Sequence, residues 1–207
     1  FYLNKNMKNN KNLLKSNKDP FKLFDKWFSL AKKKEINDPN AMTLSTVGKS
    51  MQPTSRLVIM KSFSKNNFIF NTNLKSKKAK NIFINSKVCL NFYWKSLRKQ
   101  VRIEGIAKPL TQEESDYYFH ERPRGSKIGA WASDQSNFLK NRNELIKRVK
   151  IYEKKFKNDI IPRPNYWSGF KIIPNLFEFW QDMPSRLHDR LEYKKIGNKW
   201  KIRNLYP

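Results

Sequence analysis

From residue 41 onward, short apolar segments alternate with polar turns, and this pattern limits the possible fold more than any other feature of the sequence. Strand patterns cover residues 41–47, 55–63, 67–73, 87–94, 99–110, 167–174, 175–181 and 186–205, the last folding back at Gly197-Asn198. Most consecutive strands are separated by short turns, whereas a parallel pair needs a crossover of about a dozen or more residues. Helical patterns cover residues 19–34, 76–85, 111–122, 128–132 and 138–156. The sequence therefore predicts an α+β fold, an antiparallel β-barrel with peripheral helices.

A single folded domain, residues 19–207, is expected to follow a flexible N-terminal arm. The 207 residues are enough to bury a core within one domain. Residues 1–18 are rich in Lys and Asn with few apolar positions, which is typical of a mobile segment. No apolar run approaches the roughly 20 residues of a membrane span, no secretory signal is visible, and one cysteine, Cys89, is typical of a reducing compartment. We therefore expect a cytoplasmic protein without a membrane segment.

The formal net charge of +27 suggests an anionic partner such as nucleic acid. Most of the 44 basic residues are Lys, however, and Arg is the residue preferred for bidentate recognition. The Lys residues also occur with abundant Asn, Ile and Phe along the whole chain, as codon usage in an A+T-rich genome would produce. We therefore attribute most of the positive charge to biased amino-acid composition, with the Lys side chains exposed to solvent. Nucleic-acid binding is the rival hypothesis.

Several common catalytic motifs are absent from the sequence. Neither GxGxxG nor GxxxxGK[ST] occurs, which argues against a Rossmann nicotinamide site and a P-loop. There is no GxSxG, and two histidines leave little room for a Ser/His/Asp triad. One Cys and two His also make a protein-built metal site unexpected.

The stretch FEFWQDMPSRLHDRLEY, residues 177–193, has the most unusual chemistry in the chain. Arg186, His188 and Arg190 are spaced two apart, with Leu187 and Leu191 on the opposite parity. In a strand such residues share a face. We therefore expect a cationic row on a strand, either solvated or part of a binding site.

Two earlier segments have residue types suited to phosphate. In residues 71–79, Ser76 precedes a helix and is followed by Lys77 and Lys78, so free N–H groups and cations meet there. The alternative is a solvated Lys run. In residues 117–126, Tyr118 and Arg122 are four apart on a helix, and Ser126 follows Pro123; these groups could bind a phosphate monoester or form an ordinary surface pair.

The strand Arg56-Leu57-Val58-Ile59-Met60-Lys61 is apolar between two cations. Arg56 and Lys61 are five apart and are expected to face opposite sides of a regular strand. Gln100, and Gln135 with the following Ser136, can be read as ordinary polar residues on the surface. An amide side chain also offers both a hydrogen-bond donor and an acceptor, so it could bind the polar edge of a ligand.

Taken together, these blocks resemble the pyridoxamine/pyridoxine 5'-phosphate oxidase family. The match includes Glu178-Phe179-Trp180-Gln181, then four residues, then Arg186-Leu187-His188-Asp189-Arg190, and it extends in order from about Asp19 to Pro207. The resemblance implies an FMN-binding split β-barrel, assembled as a homodimer with FMN at the subunit interface. It implies oxidation of pyridoxamine 5'-phosphate and pyridoxine 5'-phosphate to pyridoxal 5'-phosphate, with dioxygen reduced to hydrogen peroxide.

The resemblance also implies roles for individual residues. The FMN ligands would be Arg56, Lys61, Asn71, Thr72, Ser76, Lys77, Lys78, Gln100, Gln135, Ser136, Trp180 and Arg190. The substrate phosphate would be held by Lys61, Tyr118, Arg122 and Ser126, with Arg186 and His188 over the reacting carbon and Asp38 nearby. The family commonly has Arg where Lys77 stands, so the bidentate fork is lost there. His120 is expected to be structural.

Two rival functions stay open at the level of sequence. Another split-barrel flavoprotein would keep the Arg56 and Ser76–Lys78 blocks without needing Tyr118, Arg122 or Arg186-Leu187-His188. A nucleic-acid-binding protein should instead show binding that weakens steeply with salt.

Overall fold

The computed structural model describes residues 18–157 and 159–207, so the expected arm lies outside the described residues except for Lys18. The strands are β1 (Ala41–Val47), β2 (Pro53–Phe63), β3 (Phe68–Asn73), β4 (Lys87–Trp94), β5 (Lys99–Pro109), β6 (Trp167–Gln181), β7 (Asp189–Ile196) and β8 (Lys199–Leu205). The α-helices are α1 (Pro20–Lys34), α2 (Lys77–Ile84), α3 (Gln112–His120), α4 (Arg124–Ala132) and α5 (Arg142–Lys155). Short 3₁₀ turns occupy Lys95–Leu97 and Pro184–Arg186. None of these helices combines the length and the apolar character that crossing a membrane requires.

The eight strands form one antiparallel sheet that closes on itself. The order is β3-β2-β1-β4-β5-β6-β7-β8, and β3 also pairs with β6, which closes a barrel of six strands. Strands β7 and β8 extend the sheet beyond β6 as a hairpin. The hairpin turns at Gly197, whose φ of +55° is a conformation that glycine adopts without a side-chain clash. The predicted α+β split barrel with peripheral helices is confirmed.

The barrel is split between β2 and β3. These strands pair only where Met60–Phe63 meets Phe68–Phe70, with a one-residue slip between Met60 and Ser62. Beyond that point, residues 53–59 of β2 pair with β1, and residues 71–73 of β3 pair with β6. The two strands therefore diverge, and the gap between them leaves side chains from both accessible to a ligand.

Strand β6 is one continuous element of 15 residues, whereas the sequence patterns predicted two strands that meet at residue 175. Glu104 pairs with Leu176 and Gly105 with Pro174, so Asn175 is an extra residue in the ladder. A Cβ on Gly105 would lie 2.5 Å from the carbonyl oxygen of Ile173, which explains why glycine stands at this close approach. Residues 167–172 of β6 pair with β3, and residues 176–181 pair with β7. One strand therefore connects the barrel to the β7–β8 hairpin.

Helix α1 packs its apolar face against the core of the barrel. Its N-cap is Asp19, whose carboxylate accepts a hydrogen bond from the N–H of Phe21 at 2.9 Å, and Pro20 occupies the first turn, as predicted. The apolar face is buried, and Phe24 is fully buried. Its ring lies within 6.0 Å of the rings of Phe28, Phe63, Phe68, Phe92 and Trp94, measured between centroids. The barrel and α1 therefore share one hydrophobic core.

Some expected boundaries are wrong. The strand predicted from residue 186 begins only at Asp189, because Ser185 and Arg186 adopt positive φ angles of 58° and 60° in a 3₁₀ turn. The alternating cationic row is therefore not formed by a strand. Helix α4 begins at Arg124 instead of residue 128, and α5 begins at Arg142 with Asn141 as its N-cap instead of at residue 138.

Candidate functional site

The split between β2 and β3 contains a cleft of about 590 Å³. Its walls come from β2, β3, the start of α2, and loops that follow α3 and α4. The lining residues are Arg56, Leu57, Val58, Ile59, Lys61, Asn71, Thr72, Lys77, Lys78, Arg122, Gln135 and Ser136. Arg56 and Lys61 were expected on opposite sides of β2, but both line this cleft; Lys61 lies at the pairing slip, where a bulge changes the direction of a side chain.

One end of the cleft has a compact polar cluster around Lys78. The Nζ atom of Lys78 donates to Thr72 Oγ1 at 3.2 Å, Ser76 Oγ at 3.4 Å and Gln135 Oε1 at 3.3 Å. Thr72 Oγ1 also donates to Gln135 Oε1 at 3.3 Å. Burial, followed by the charge of Arg56, lowers the pKa of Lys78. The ammonium group is therefore held in place by neutral oxygen atoms, and no carboxylate among the described residues neutralises its charge.

The start of α2 lies beside this cluster. Ser76 is the N-cap and is fully buried, but its side chain makes no capping hydrogen bond and instead faces Thr72 and Lys78. The first N–H groups of a helix lack partners within the helix and carry a partial positive charge. Lys77, at the first helical position, is exposed and lines the cleft. The helix end and the two lysines together give this end of the cleft a positive character that suits an anion.

Arg56 is fixed by its neighbours in β1 and β2. Its guanidinium donates to the carbonyl oxygen of Leu44 at 3.0 Å, to Thr46 Oγ1 at 2.8 Å and to Thr54 Oγ1 at 2.7 Å. Burial lowers the pKa of Arg56. The sequence patterns gave no role to Thr46 or Thr54, because their alternation matches that of any half-buried strand.

A second pocket of about 290 Å³ adjoins the cleft and shares Lys61 and Arg122 with it. Tyr118 and Ser126 line it as well, so all four predicted phosphate ligands of the substrate come together. Arg122 donates to the carbonyl oxygen of Ser126 at 3.1 Å, and its guanidinium lies 4.9 Å from the ring centre of Trp167. Burial lowers the pKa of Arg122. The prediction that Tyr118 and Arg122 share a helix face is wrong, because α3 ends at His120. Arg122 reaches this pocket from the loop that follows the helix.

The hydroxyl group of Tyr118 lies 2.6 Å from Ser62 Oγ on β2. This hydrogen bond connects α3 to the strand that also supplies Lys61. His120 lies elsewhere on α3, is exposed, and contacts the carbonyl oxygen of Asp116 through Nδ1 at 2.7 Å.

The other predicted ligands, apart from Asp38, lie on β5, β6, β7 and the turn that precedes β7. Gln100 pairs with Trp180, and Trp180 pairs with Arg190 across the sheet. The ring centres of Trp180 and His188 are 4.7 Å apart, while Arg186 is exposed in the 3₁₀ turn. None of Gln100, Trp180, Arg186, His188 and Arg190 lines the cleft, and Asp38, in an exposed turn, does not either.

Glu178 organises this second cluster. It is buried and accepts hydrogen bonds from Arg190 Nε at 2.9 Å and from Arg102 Nη2 at 2.6 Å. Although burial acts to raise it, the hydrogen bonds from Arg102 and Arg190 hold the pKa of Glu178 below its usual value. Sequence reasoning gave Glu178 no role of its own. A buried acid opposite two arginines on neighbouring strands could have been found only from the strand register.

The comparisons with known proteins identify the family. Residues 30–155 match the model described as pyridoxamine 5'-phosphate oxidase, and residues 167–207 match the one described as pyridoxine 5'-phosphate oxidase C-terminal dimerisation region. The chain is 48% identical over 194 residues to a pyridoxine/pyridoxamine 5'-phosphate oxidase of Caulobacter vibrioides, covering 94% of this chain and 87% of the relative. It is 49% identical over 191 residues to that of Bartonella henselae, covering 91% and 92%.

Solved structures agree on the fold. The crystal structure of PhzG from Burkholderia lata 383 in complex with tetrahydrophenazine-1-carboxylic acid superposes with a TM-score of 0.89 at 27% identity, covering 95% of this chain and 96% of that one. A pyridoxamine 5'-phosphate oxidase-related, FMN-binding protein from Nostoc punctiforme gives a TM-score of 0.74 at 15% identity, covering 91% and 98%, and so supports the fold alone. Since the family models and the relatives extend over most of its length, this chain belongs to the pyridoxamine 5'-phosphate oxidase family of oxidoreductases.

Proposed function

We propose that this protein oxidises pyridoxamine 5'-phosphate and pyridoxine 5'-phosphate to pyridoxal 5'-phosphate, using FMN and dioxygen. The observation that carries the proposal is that two sets of residues suited to phosphate lie along one cleft and its adjoining pocket. One set surrounds Lys78 at the start of α2, and the other surrounds Arg122 in the adjoining pocket. A flavin mononucleotide and a phosphorylated substrate each bring one phosphate monoester, so two such sets are what this reaction needs.

The charge balance of the cleft supports two anionic ligands. In residues 18–157 and 159–207, Arg56, Lys78 and Arg122 form no ion pair with a carboxylate; their partners are carbonyl, hydroxyl and amide oxygens. Among the residues that the structure describes, no Asp or Glu lines the cleft, and the adjoining pocket has one acid, Glu121. Burying a cation without a counter-ion is unfavourable, and the pKa values of all three residues are lowered by burial. A phosphate group, with about two negative charges, would relieve that cost.

The residues of the cleft fit FMN. Ser76, Thr72 and Lys78, with the free N–H groups of α2, would hold its phosphate, and Lys77 would add a mobile charge. Arg56, Asn71, Gln135 and Ser136 lie along the cleft wall where ring edges and the ribityl chain could find donors and acceptors. The side-chain N and O atoms of Asn71 are buried without a partner among the described residues, which is consistent with a site completed by a ligand. When bound, FMN would accept a hydride from C4' of the substrate and pass the electrons to dioxygen.

The remaining residues would place the substrate. Lys61, Tyr118, Arg122 and Ser126 would fix its phosphate, and the Arg122 guanidinium is already oriented by Ser126 and Trp167. Arg186 and His188 would lie over the ring near C4' and orient it for hydride transfer. A neutral His188 would accept the proton that the substrate amine or hydroxyl releases as C4' loses its hydride.

A complete site requires a second copy of the chain. Gln100, Trp180, Arg186, His188 and Arg190 lie outside the cleft of their own chain, although they complete the expected ligand set. Beside the cleft, Leu57 of β2 is 73% exposed, which suits burial against a partner. The match of residues 167–207 to a dimerisation region supports the same arrangement. We propose a symmetric homodimer in which each FMN lies between the two chains.

The proposed location is the cytoplasm. The chain has one cysteine, the half-buried Cys89, and a chain without a cysteine pair suits a reducing compartment.

The test is anaerobic flavin reduction. Purified protein is reconstituted with FMN, mixed with pyridoxamine 5'-phosphate without oxygen, and followed by loss of the yellow flavin absorbance. Bleaching is expected, followed by recovery of colour and hydrogen peroxide formation when oxygen is admitted. Pyridoxamine without its phosphate is the matched control and should require a much higher concentration. If the phosphorylated substrate does not bleach FMN-loaded protein, the proposed function is wrong.

A further inference from the structure

The turn before β7 contains an acid–imidazole pair, Asp182 and His188, that the role proposed for His188 does not explain. Asp182 Oδ1 lies 3.2 Å from His188 Nδ1. We propose that Asp182 is a positioning residue for His188: its carboxylate holds the imidazole as the tautomer protonated on Nδ1, so that Nε2 is an acceptor. The catalytic meaning of this arrangement rests on the proposed function; the tautomer itself does not.

Two groups compete for the same ring nitrogen. The backbone N–H of Met183 also lies 3.2 Å from His188 Nδ1 and is oriented to donate to it. A donation from Met183 requires a lone pair on Nδ1, whereas the Asp182 carboxylate requires a hydrogen there. In the neutral ring only one of these hydrogen bonds can form, so the two neighbours favour opposite tautomers.

The carboxylate has the advantage in this competition. A hydrogen bond to an ionised acceptor is roughly twice as strong as one between neutral groups. Asp182 is also held firmly, because its side chain forms an ion pair with Arg98 and its backbone N–H donates to the Arg98 carbonyl oxygen at 3.1 Å. The Asp182 side chain is only 18% exposed, so water competes little for it.

The surroundings of the ring fix its orientation. The Trp180 ring packs against His188 with centres 4.7 Å apart. The backbone at Ser185 and Arg186 has positive φ angles, a costly conformation for residues other than glycine that persists where surrounding contacts hold it. With Nδ1 3.2 Å from Asp182 Oδ1 and the ring packed against Trp180, the opposite nitrogen, Nε2, has no partner among the described residues and can face a ligand.

The low histidine content makes a direct test possible. The chain has two histidines, and His120 contacts a carbonyl oxygen through Nδ1, which fixes it as a second Nδ1-protonated ring. Untagged, FMN-loaded protein labelled with ¹⁵N-histidine is studied by NMR at a pH where both rings are neutral, with His188→Asn to assign the signals. Both rings should give the pattern of the Nδ1–H tautomer. A His188 pattern of Nε2–H in the wild type would overturn the proposal.

Variants separate the carboxylate from the rest of the turn. In Asp182→Ala the Met183 N–H should donate to Nδ1, so His188 should switch to Nε2–H while His120 stays unchanged. Asp182→Asn retains the shape without the charge and should give a mixture of tautomers, which keeps the test available if the Ala variant does not fold. Arg98→Gly removes the ion pair but leaves the carboxylate and suits the positive φ at this position, so it should retain Nδ1–H. An unchanged His188 pattern in both Asp182 variants would contradict the inference.

Kinetics then connect the tautomer to the reaction. Asp182→Ala should slow anaerobic flavin bleaching by about tenfold or more, because Nε2 of His188 would then carry a hydrogen and could not accept the substrate's proton; groups that accept a proton in the transition state typically contribute factors of about 10²–10⁴. Its FMN affinity and substrate KM should stay within about twofold of the wild-type values, as expected for a group that acts through His188. Failure of wild-type protein to bleach would refute the proposed function and leave the NMR result standing, whereas a retained tautomer in the variants would refute only the positioning role.

Discussion

Individual cations in the cleft are held by neutral groups, and this shapes the chemistry of the site. Arg56 is bound by two threonine hydroxyls and a carbonyl oxygen, and Lys78 by two hydroxyls and an amide oxygen. Several arginines elsewhere pair with acids, as Arg190 does with Glu178 and Arg163 with Asp116. Arg56 and Lys78 therefore keep charges that no carboxylate among the described residues neutralises, which suits them to an anionic ligand.

At the residue scale, Arg122 and Arg186 should affect different kinetic constants. Removing a charge-assisted phosphate contact costs about 1.5–3 kcal/mol, roughly one to two decades in binding. Arg122→Ala should therefore raise KM for pyridoxamine 5'-phosphate with FMN still bound, whereas Arg186→Ala should lower kcat as well. Steady-state kinetics of the FMN-loaded variants measure both constants. The same defect in both variants would contradict the division of roles.

At the scale of elements, the contact between α1 and β5 includes a buried charge. Lys99, at the start of β5, is 5% exposed; its ammonium group lies 4.0 Å from the ring centre of Trp27 and donates to Gln181. Burial, then the charge of Lys26, lowers the pKa of Lys99 from its ordinary 10.5 to about 8, against the opposing effect of Asp189. The folded protein therefore binds this proton less tightly than the unfolded chain does.

The pH dependence of stability follows from that difference. Between pH of about 8 and 10.5 the unfolded state holds more protons at Lys99, so this residue makes stability rise with pH across that window. Below about pH 8 the cost of the buried charge is fully present. Lys99→Met should remove this contribution to the slope. Thermal unfolding at several pH values should show that the Tm of the variant relative to wild type falls as the pH rises from about 8 to 10.5; a constant difference would contradict the assignment.

The packing of α1 into the barrel gives a second prediction for an element. Phe24 is fully buried among rings from β2, β3, β4 and α1 itself. Phe24→Ala should lower the free energy of unfolding by about 3–5 kcal/mol, because it leaves a cavity in addition to the lost transfer energy. Urea denaturation measures the loss, and Ile36→Ala, at a 92% exposed position, is the control and should change it by less than about 0.5 kcal/mol.

At the scale of the whole molecule, each complete site should combine the cleft of one subunit with the β5–β7 cluster of the other. Arg122→Ala damages the cleft and His188→Asn damages the β5–β7 cluster. At a substrate concentration far below the KM of the Arg122→Ala variant, each homodimer should be nearly inactive. If the variants are unfolded, mixed in equal amounts and refolded together, about half of the dimers should be mixed, and each would have one intact site, giving about a quarter of the wild-type sites. No recovery of flavin bleaching in the mixture would place both clusters in one chain.

The surface charge of the whole molecule is expected to produce only weak nucleic-acid binding. The Lys residues are dispersed along the chain instead of concentrated on one element that could enter a groove. DNA binding measured by fluorescence anisotropy should therefore disappear at moderate salt, because counterion release is its only driving force. Tight, sequence-selective binding at physiological salt would favour the rival hypothesis of a nucleic-acid-binding protein.

The sequence by itself determined the fold class, the order of the elements and the family, because these depend on local periodicity and on residues at fixed spacing. Alternating apolar residues predicted the strands, and Asp19-Pro20 predicted the start of α1. Only the tertiary structure showed that the pairing slip at Lys61 brings it to the same cleft as Arg56, that Arg186 lies in a turn with positive φ, and that Asp182 reaches His188. These features depend on strand register and on backbone angles that contacts between distant segments impose, and no local pattern records them.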